Sequence, residues 1–221
     1  MIKWILASLG ILFAGLMVYL IGQLWTLDLE DDELISKNSK TELIDNKSIP
    51  VELKEEIVEA LSHFPELKNV KIEFRFKDQI EGSFMQAQPK VASLFNTQKL
   101  RSYVINIKKH FQSEDTIVHM ASLPKSVLVG WIGHELGHIL DYHKKDFFSI
   151  TELGIGYLLS EDYIKATELR ADIHAIQHGL SDKITATKEF ILNHPKLSEQ
   201  YKSKIRRLYL SSEGVEEITR K

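Results

Sequence analysis

Pro124 to His143 reads PKSVLVGWIGHELGHILDYH, and this stretch decides how the rest of the chain is understood. Proline suits the first position of a helix, where its missing N–H would have no intrahelical partner, and Val127, Leu128, Trp131 and Ile132 then recur at helical spacing. The HELGH run, His134 to His138, continues the same predicted helix. Two histidines four apart lie on one helix face, about 6 Å from each other, so both imidazoles can converge on one ion. Glu135 is turned roughly 100° further round, which lets its carboxylate reach a metal-held water without displacing it. Zinc would lower the pKa of that water towards 7, and Glu135 would take its proton and pass it on to a leaving amine.

A catalytic zinc needs a third protein ligand and an open position. His143 lies in the same helix but falls one residue short of an HExxHxxGxxH pattern, with Asp141 at the place of the turn-making glycine and Lys144 at that of the histidine, so it is set aside. Glu168, in ATELRADIHAIQH, is on the next predicted helix with Asp172 one turn on. The small Ala171 and Ala175 nearby would let two helices approach closely enough to share a metal. Asp172 would then accept a hydrogen bond from a ligand histidine or pair with a cation. The plain alternative is a solvated acid pair. His174 and His178 also have i, i+4 spacing and raise the question of a second metal site, although they project more than about 80° away from Glu168 around the helix. His63, His110 and His119 have no ligand-like spacing.

HELGH, then ELRAD, then a late NHP followed by KIRRL together resemble the gluzincin membrane metallopeptidases of the HtpX and CAAX-prenyl-protease types, over roughly residues 70 to 210. The resemblance implies His134, His138 and Glu168 as ligands of one zinc per chain and Glu135 as catalytic base. It further implies that His194 stabilises the oxyanion of the tetrahedral intermediate, a role that needs a donor near the open metal position. The basic residue that follows the HP pair in that family lies farther away here, at Lys204, Arg206 or Arg207, and those relatives usually have several membrane spans. The implied fold is an α+β zincin-like domain, a small sheet preceding the active-site helix, with one sheet edge free to take an extended peptide.

The residues on either side agree with a single α+β domain over 51–221. VELKEEIVEALSHF, 51–64, reads as a helix with Val51, Ile57, Val58 and Leu61 on one face. Val70, Ile72, Phe74 and Phe76 then alternate with charged residues as in a strand with one buried face, and Tyr103, Ile105 and Ile107 repeat the pattern. FMQAQPKVASLFN adds one or two short strands broken at Pro89. After the HELGH helix, Glu161 to His178 reads as a helix capped by Ser160 and ended by Gly179; ITATKEFILN and LSEQYKSKIRRLYL follow as two more. Residues 146–159 are too short and too charged for a membrane span and stay open between a lid, a buried helix and a membrane-facing element.

Upstream, residues 28–50 are polar and charged and read as a linker, while Trp4 to Trp25 is a run of 22 residues without a charge. As a helix that run measures about 33 Å, enough to cross a bilayer, with Trp4, Tyr19 and Trp25 towards its ends, so 1–27 is expected to be an uncleaved anchor. Lys3 before the span and the acidic exit Asp28 to Glu33 favour a domain outside the cytoplasm.

The 221 residues contain no cysteine, which excludes disulfides, thiolate catalysis and Cys-bearing zinc fingers; any zinc must be held by histidines and carboxylates. A formal charge of -3 without a basic stripe argues against nucleic acid as a partner. The expected activity is zinc-dependent endoproteolysis of protein or peptide substrates near a membrane. The alternative is an inactive or regulatory zinc-binding membrane module, a sensor or an ImmA-type regulatory peptidase.

Overall fold

The computed structural model describes residues 41–94, 97, 100–113, 116–146, 149–150, 160–195 and 197–220. The expected anchor over 1–27, the first part of the linker and most of 146–159 lie outside the described residues; no helix among the described residues is long and apolar enough to cross a membrane.

An α+β architecture follows from the order of the elements. Strands β1 (Thr41–Ile44) and β2 (Lys47–Pro50) form a hairpin, so the last ten residues assigned to the linker belong to the domain. Two residues separate the strands, and Asp45 takes a left-handed φ of 49°, the conformation a tight hairpin turn asks for and that Asp tolerates. Lys47 locks the hairpin in place: its buried ammonium donates to the carbonyls of Leu67, Lys68 and Val70 at 3.0, 3.0 and 2.7 Å.

Helix α1 (Lys54–Ser62) starts only after a 3₁₀ turn over Val51–Leu53. That turn shifts the phase, and Leu53, Ile57 and Ala60 face the core, whereas Val51 and Val58 are exposed, contrary to the face expected from spacing alone. The chain continues through β3 (Lys71–Lys77), β4 (Met85–Pro89) and β5 (Ser102–Lys108). The resulting sheet has the order β1-β2-β3-β5-β4, with β2, β3 and β5 parallel and both β1 and β4 antiparallel at the edges. The parallel step from β2 to β3 is made possible by α1 as crossover. Arg75, on the face of β3 opposite Phe74, is buried as well, its Nε donating to Asn106 Oδ1 at 2.8 Å. A separate hairpin of β6 (His110–Ser113) and β7 (Thr116–His119) was not foreseen.

Helix α2 (Lys125–His143) carries HELGH through the middle of the molecule, and from Val127 to Tyr142 every residue is buried. It packs against α1, β4, α3 (Glu161–Gln177) and α4 (Ser181–Asn193). Ser160 caps α3 as expected, its hydroxyl accepting from Tyr163 N. Short helices α5 (Glu199–Leu208) and α6 (Ser212–Thr219) close the fold against α3 and α4. Glycines make these contacts close: a Cβ on Gly137 would sit 2.4 Å from the carbonyl oxygen of Ala171, and one on Gly130 would sit 2.2 Å from that of Lys183. Backbone therefore meets backbone where α2 crosses α3 and α4.

Candidate metal centre

The close crossing of α2 and α3 at Gly137 and Ala171 brings Glu168, one turn before Ala171, over the His134–His138 face. His134 Nε2 lies 3.0 Å from Glu168 Oε2, His138 Nε2 lies 3.3 Å from the same oxygen, and the two histidine nitrogens are 3.1 Å apart. Three ligand atoms about 2.0–2.2 Å from a tetrahedral ion would be roughly 3.4 Å from one another. The observed triangle is slightly tighter than that, so the three atoms are close enough together to take one cation once His134 gives up its Nε2 proton. His134, His138 and Glu168 are all buried and form the group of ligand-type residues that could hold a metal ion among the described residues.

Both histidines are oriented by a neighbour. Asp172, ionised and able only to accept, takes the Nδ1–H of His134 at 2.9 Å and so directs Nε2 at Glu168. The second oxygen of Asp172 accepts from Lys188 Nζ at 2.6 Å and from Leu210 N at 3.2 Å, and the same ammonium donates to the Leu210 carbonyl at 2.6 Å. Lys188 is buried and reads in the sequence as an ordinary helix lysine; nothing in its spacing announces the role. His138 is steered by packing, its ring stacked on Tyr142 at 5.8 Å and 20°, and its Nδ1 is without a hydrogen-bond partner among the described residues.

The electrostatics follow from burial and charge together. For Glu168 burial opposes ionisation, but the charge of His138 and hydrogen bonds from His134 and His138 outweigh it and hold the carboxyl well below its usual range. His134 is pulled down by burial and pushed up more strongly by Asp172 and Glu168, ending at about 10. Asp172 is lowered despite burial, through its hydrogen bond to His134 and the charge of Lys188. Glu135 differs from both acids: burial raises its pKa, against the pull of His138 and His134, and its Oε2 accepts from the backbone N–H of Ala87 at 2.7 Å.

A cavity of about 400 Å³ opens on this group, lined among others by Ala87, Glu135, His138, Tyr142, Glu168 and Tyr209. Tyr209, just past α5, places its ring 5.4 Å from that of His134. Tyr209 lies outside any sequence motif, and the anchoring of Leu210 by Asp172 and Lys188 brings it here. His194 stands at the C-terminal end of α4 with its ring 4.8 Å from that of Phe190, and it is not among the residues lining the cavity.

Of the remaining histidines, His143 and His178 are held by packing and hydrogen bonds away from this group. His143, at the end of α2, has Nδ1 3.2 Å from the Tyr103 hydroxyl. His178 stacks on Phe64 at 4.5 Å, with its Nδ1 2.6 Å from the His174 carbonyl and its Nε2 3.2 Å from Glu66. It therefore forms no ligand pair with His174. Comparison with known proteins gives no match: no family model fits the chain, and neither a curated protein nor a solved structure matches it.

Proposed function

We propose that this chain is a zinc-dependent endopeptidase with a zincin-like domain, held at a membrane by its apolar segment 4–25 and facing away from the cytoplasm. The observation that carries the reading is the position of Glu135. It lies beside the His134, His138 and Glu168 group, with its carboxylate tied to the edge strand β4. A group that only bound a metal would have no use for a second carboxylate, outside the ligand group and with a raised pKa, at the same cavity. The donor set, two imidazoles and one carboxylate with no thiolate, suits zinc. Held there, the ion would supply Lewis acidity to a water and to the carbonyl under attack.

The chain's own groups would do the rest. Lys108 N donates to Phe84 O and Lys90 N donates to Ser102 O, so the even-numbered residues of β4 face β5. Met85, Ala87 and Pro89 therefore turn their main-chain groups to the free edge, where an extended substrate can pair. Glu135, on the same edge at Ala87, takes the proton of the attacking water and delivers it to the leaving amine. Tyr209, against His134, is the cavity's candidate hydroxyl donor for the developing oxyanion, a role worth a few kcal/mol; the family resemblance would give it to His194.

The test is hydrolysis of an unfolded protein by the full chain. Chelation should abolish cleavage, zinc should restore it, and Tyr209→Phe should lower kcat by about 10- to 100-fold while His194→Ala stays within a few-fold. Zinc bound without turnover in the wild-type chain would instead support a binding module.

A further inference from the structure

A second cleft, of about 640 Å³, lies beyond the start of β4 and is lined by Ser83, Phe84, Lys108, Tyr201, Lys204 and Arg207 together with smaller residues. Ser83 and Lys204 also line the metal cavity, so the two share a wall. Three cations and no carboxylate line it among the described residues. Lys204 Nζ donates to the Gly82 carbonyl at 2.7 Å and Lys108 Nζ sits 5.7 Å from the centre of the Phe84 ring, so neither charge is neutralised by a described acid. Arg207, nearer the rim, is paired with Glu161 at 3.0 Å. The N-terminus of α5, capped by Ser198, borders the same space and adds the positive end of a helix dipole.

We propose that this cleft is a substrate subsite for a carboxylate, either an Asp or Glu side chain or the free C-terminal carboxylate, on the C-terminal side of the bond that is cut. The proposal rests on the peptidase reading above. The direction comes from the strand. A peptide pairing antiparallel to β4 runs from Ala87 towards Met85 as it proceeds to its own C-terminus, and Ala87 marks the cleavage point through Glu135. From Ala87 to Ser83 is four residues, about 14 Å of extended chain, so the residue entering the cleft is about three to five positions past the cut. A carboxylate there meets Lys108 and Lys204, neither of them paired with a described acid, while the bordering acids Glu161 and Glu199 are paired with Arg207 and with Lys202 and Arg206.

The experiment is cleavage profiling of a mixed peptide library by the zinc-loaded full chain and by a Lys108→Met/Lys204→Met variant, with a matched library amidated at its C-termini. In the wild type, Asp, Glu or the chain end should be enriched about tenfold at positions three to five after the cut. The variant should lose that enrichment. Loss of the chain-end signal alone on amidation would assign it to the terminal carboxylate. Beside it, an acidic peptide should bind the Glu135→Gln protein about tenfold more tightly than the same protein carrying the two Met substitutions. Cleavage indifferent to carboxylates, enrichment before the cut, or an unchanged preference in the variant would overturn the subsite and leave the peptidase reading intact. No cleavage of any peptide would remove both.

Discussion

The backbone N–H of Ala87 donates a 2.7 Å hydrogen bond to Glu135 Oε2, joining the edge of the sheet to the residue after the first HELGH histidine. On the proposed reading the bond ties the sheet to the chemistry, because it fixes the carboxylate relative to a peptide lying along β4. Ala87→Pro removes the donor at a strand edge, where proline is tolerated. Its expected result is an unchanged metal content with kcat lowered about tenfold, checked by metal analysis beside single-turnover kinetics. Glu135→Gln should lose at least about 100-fold in turnover at the same metal content. A fall in metal content in either variant would show that Glu135 serves the ion as a ligand.

Lys188 and Asp172 are a buried ion pair, 2.6 Å apart, and the pair is bound to the Leu210 backbone on one side and to His134 on the other. Removing one charge leaves the other uncompensated, which costs about 3–5 kcal/mol, whereas removing both costs much less. Lys188→Met is therefore expected to lower stability and metal affinity sharply, and adding Asp172→Asn should recover a good part of the stability but not the affinity. Chemical denaturation of the three variants, with metal titration alongside, measures both; additive losses would show that the pair is not coupled.

Gly137 is the residue inside HELGH that permits the α2–α3 contact, since a Cβ there would stand 2.4 Å from the Ala171 backbone oxygen and 3.1 Å from its Cα. Neither neighbour is a flexible side-chain end, so the helices must separate. Gly137→Ala, although it favours the helix by propensity, should cost more than the gain of about 1 kcal/mol and should weaken metal binding through displacement of Glu168. Unchanged zinc affinity in a folded Gly137→Ala protein would contradict the close-contact account.

His134, raised to about 10 by Asp172 and Glu168, carries a proton at neutral pH that a metal must displace. The sign follows directly: below about 10 the proton competes, so apparent metal affinity should rise with pH across the neutral range. Calorimetric titration with zinc at pH 7 in two buffers of different ionisation heat should report release of about one proton per ion. Uptake, or no transfer, would show that His134 is neutral before the metal arrives.

The grouping of His134, His138 and Glu168 was legible in the sequence because it follows helix periodicity: His134, Glu135 and His138 on one helix, Glu168 and Asp172 on the next, and Ala171 small where the helices meet. What escaped was local and short. Residues 41–50 read as linker because each strand is four residues long and Lys47 looks solvated, although Asp45-Asn46 between two short runs is a hairpin signal. Spacing alone misplaces the buried face of α1 because a 3₁₀ turn precedes it. Lys188 and Tyr209 reach the site through tertiary anchors at Asp172 and Leu210, which no spacing along the chain encodes.

Central to the whole account is one ion held by His134, His138 and Glu168, and anomalous diffraction at the zinc edge from crystals of the zinc-loaded chain addresses it most directly. The predicted result is a single peak bonded to both Nε2 atoms and to the Glu168 carboxylate at about 2.0–2.2 Å, with Asp172, His143, His174 and His178 outside bonding distance. A peak at the His174 and His178 pair, or one at His134 and His138 that leaves Glu168 uncoordinated, would contradict it.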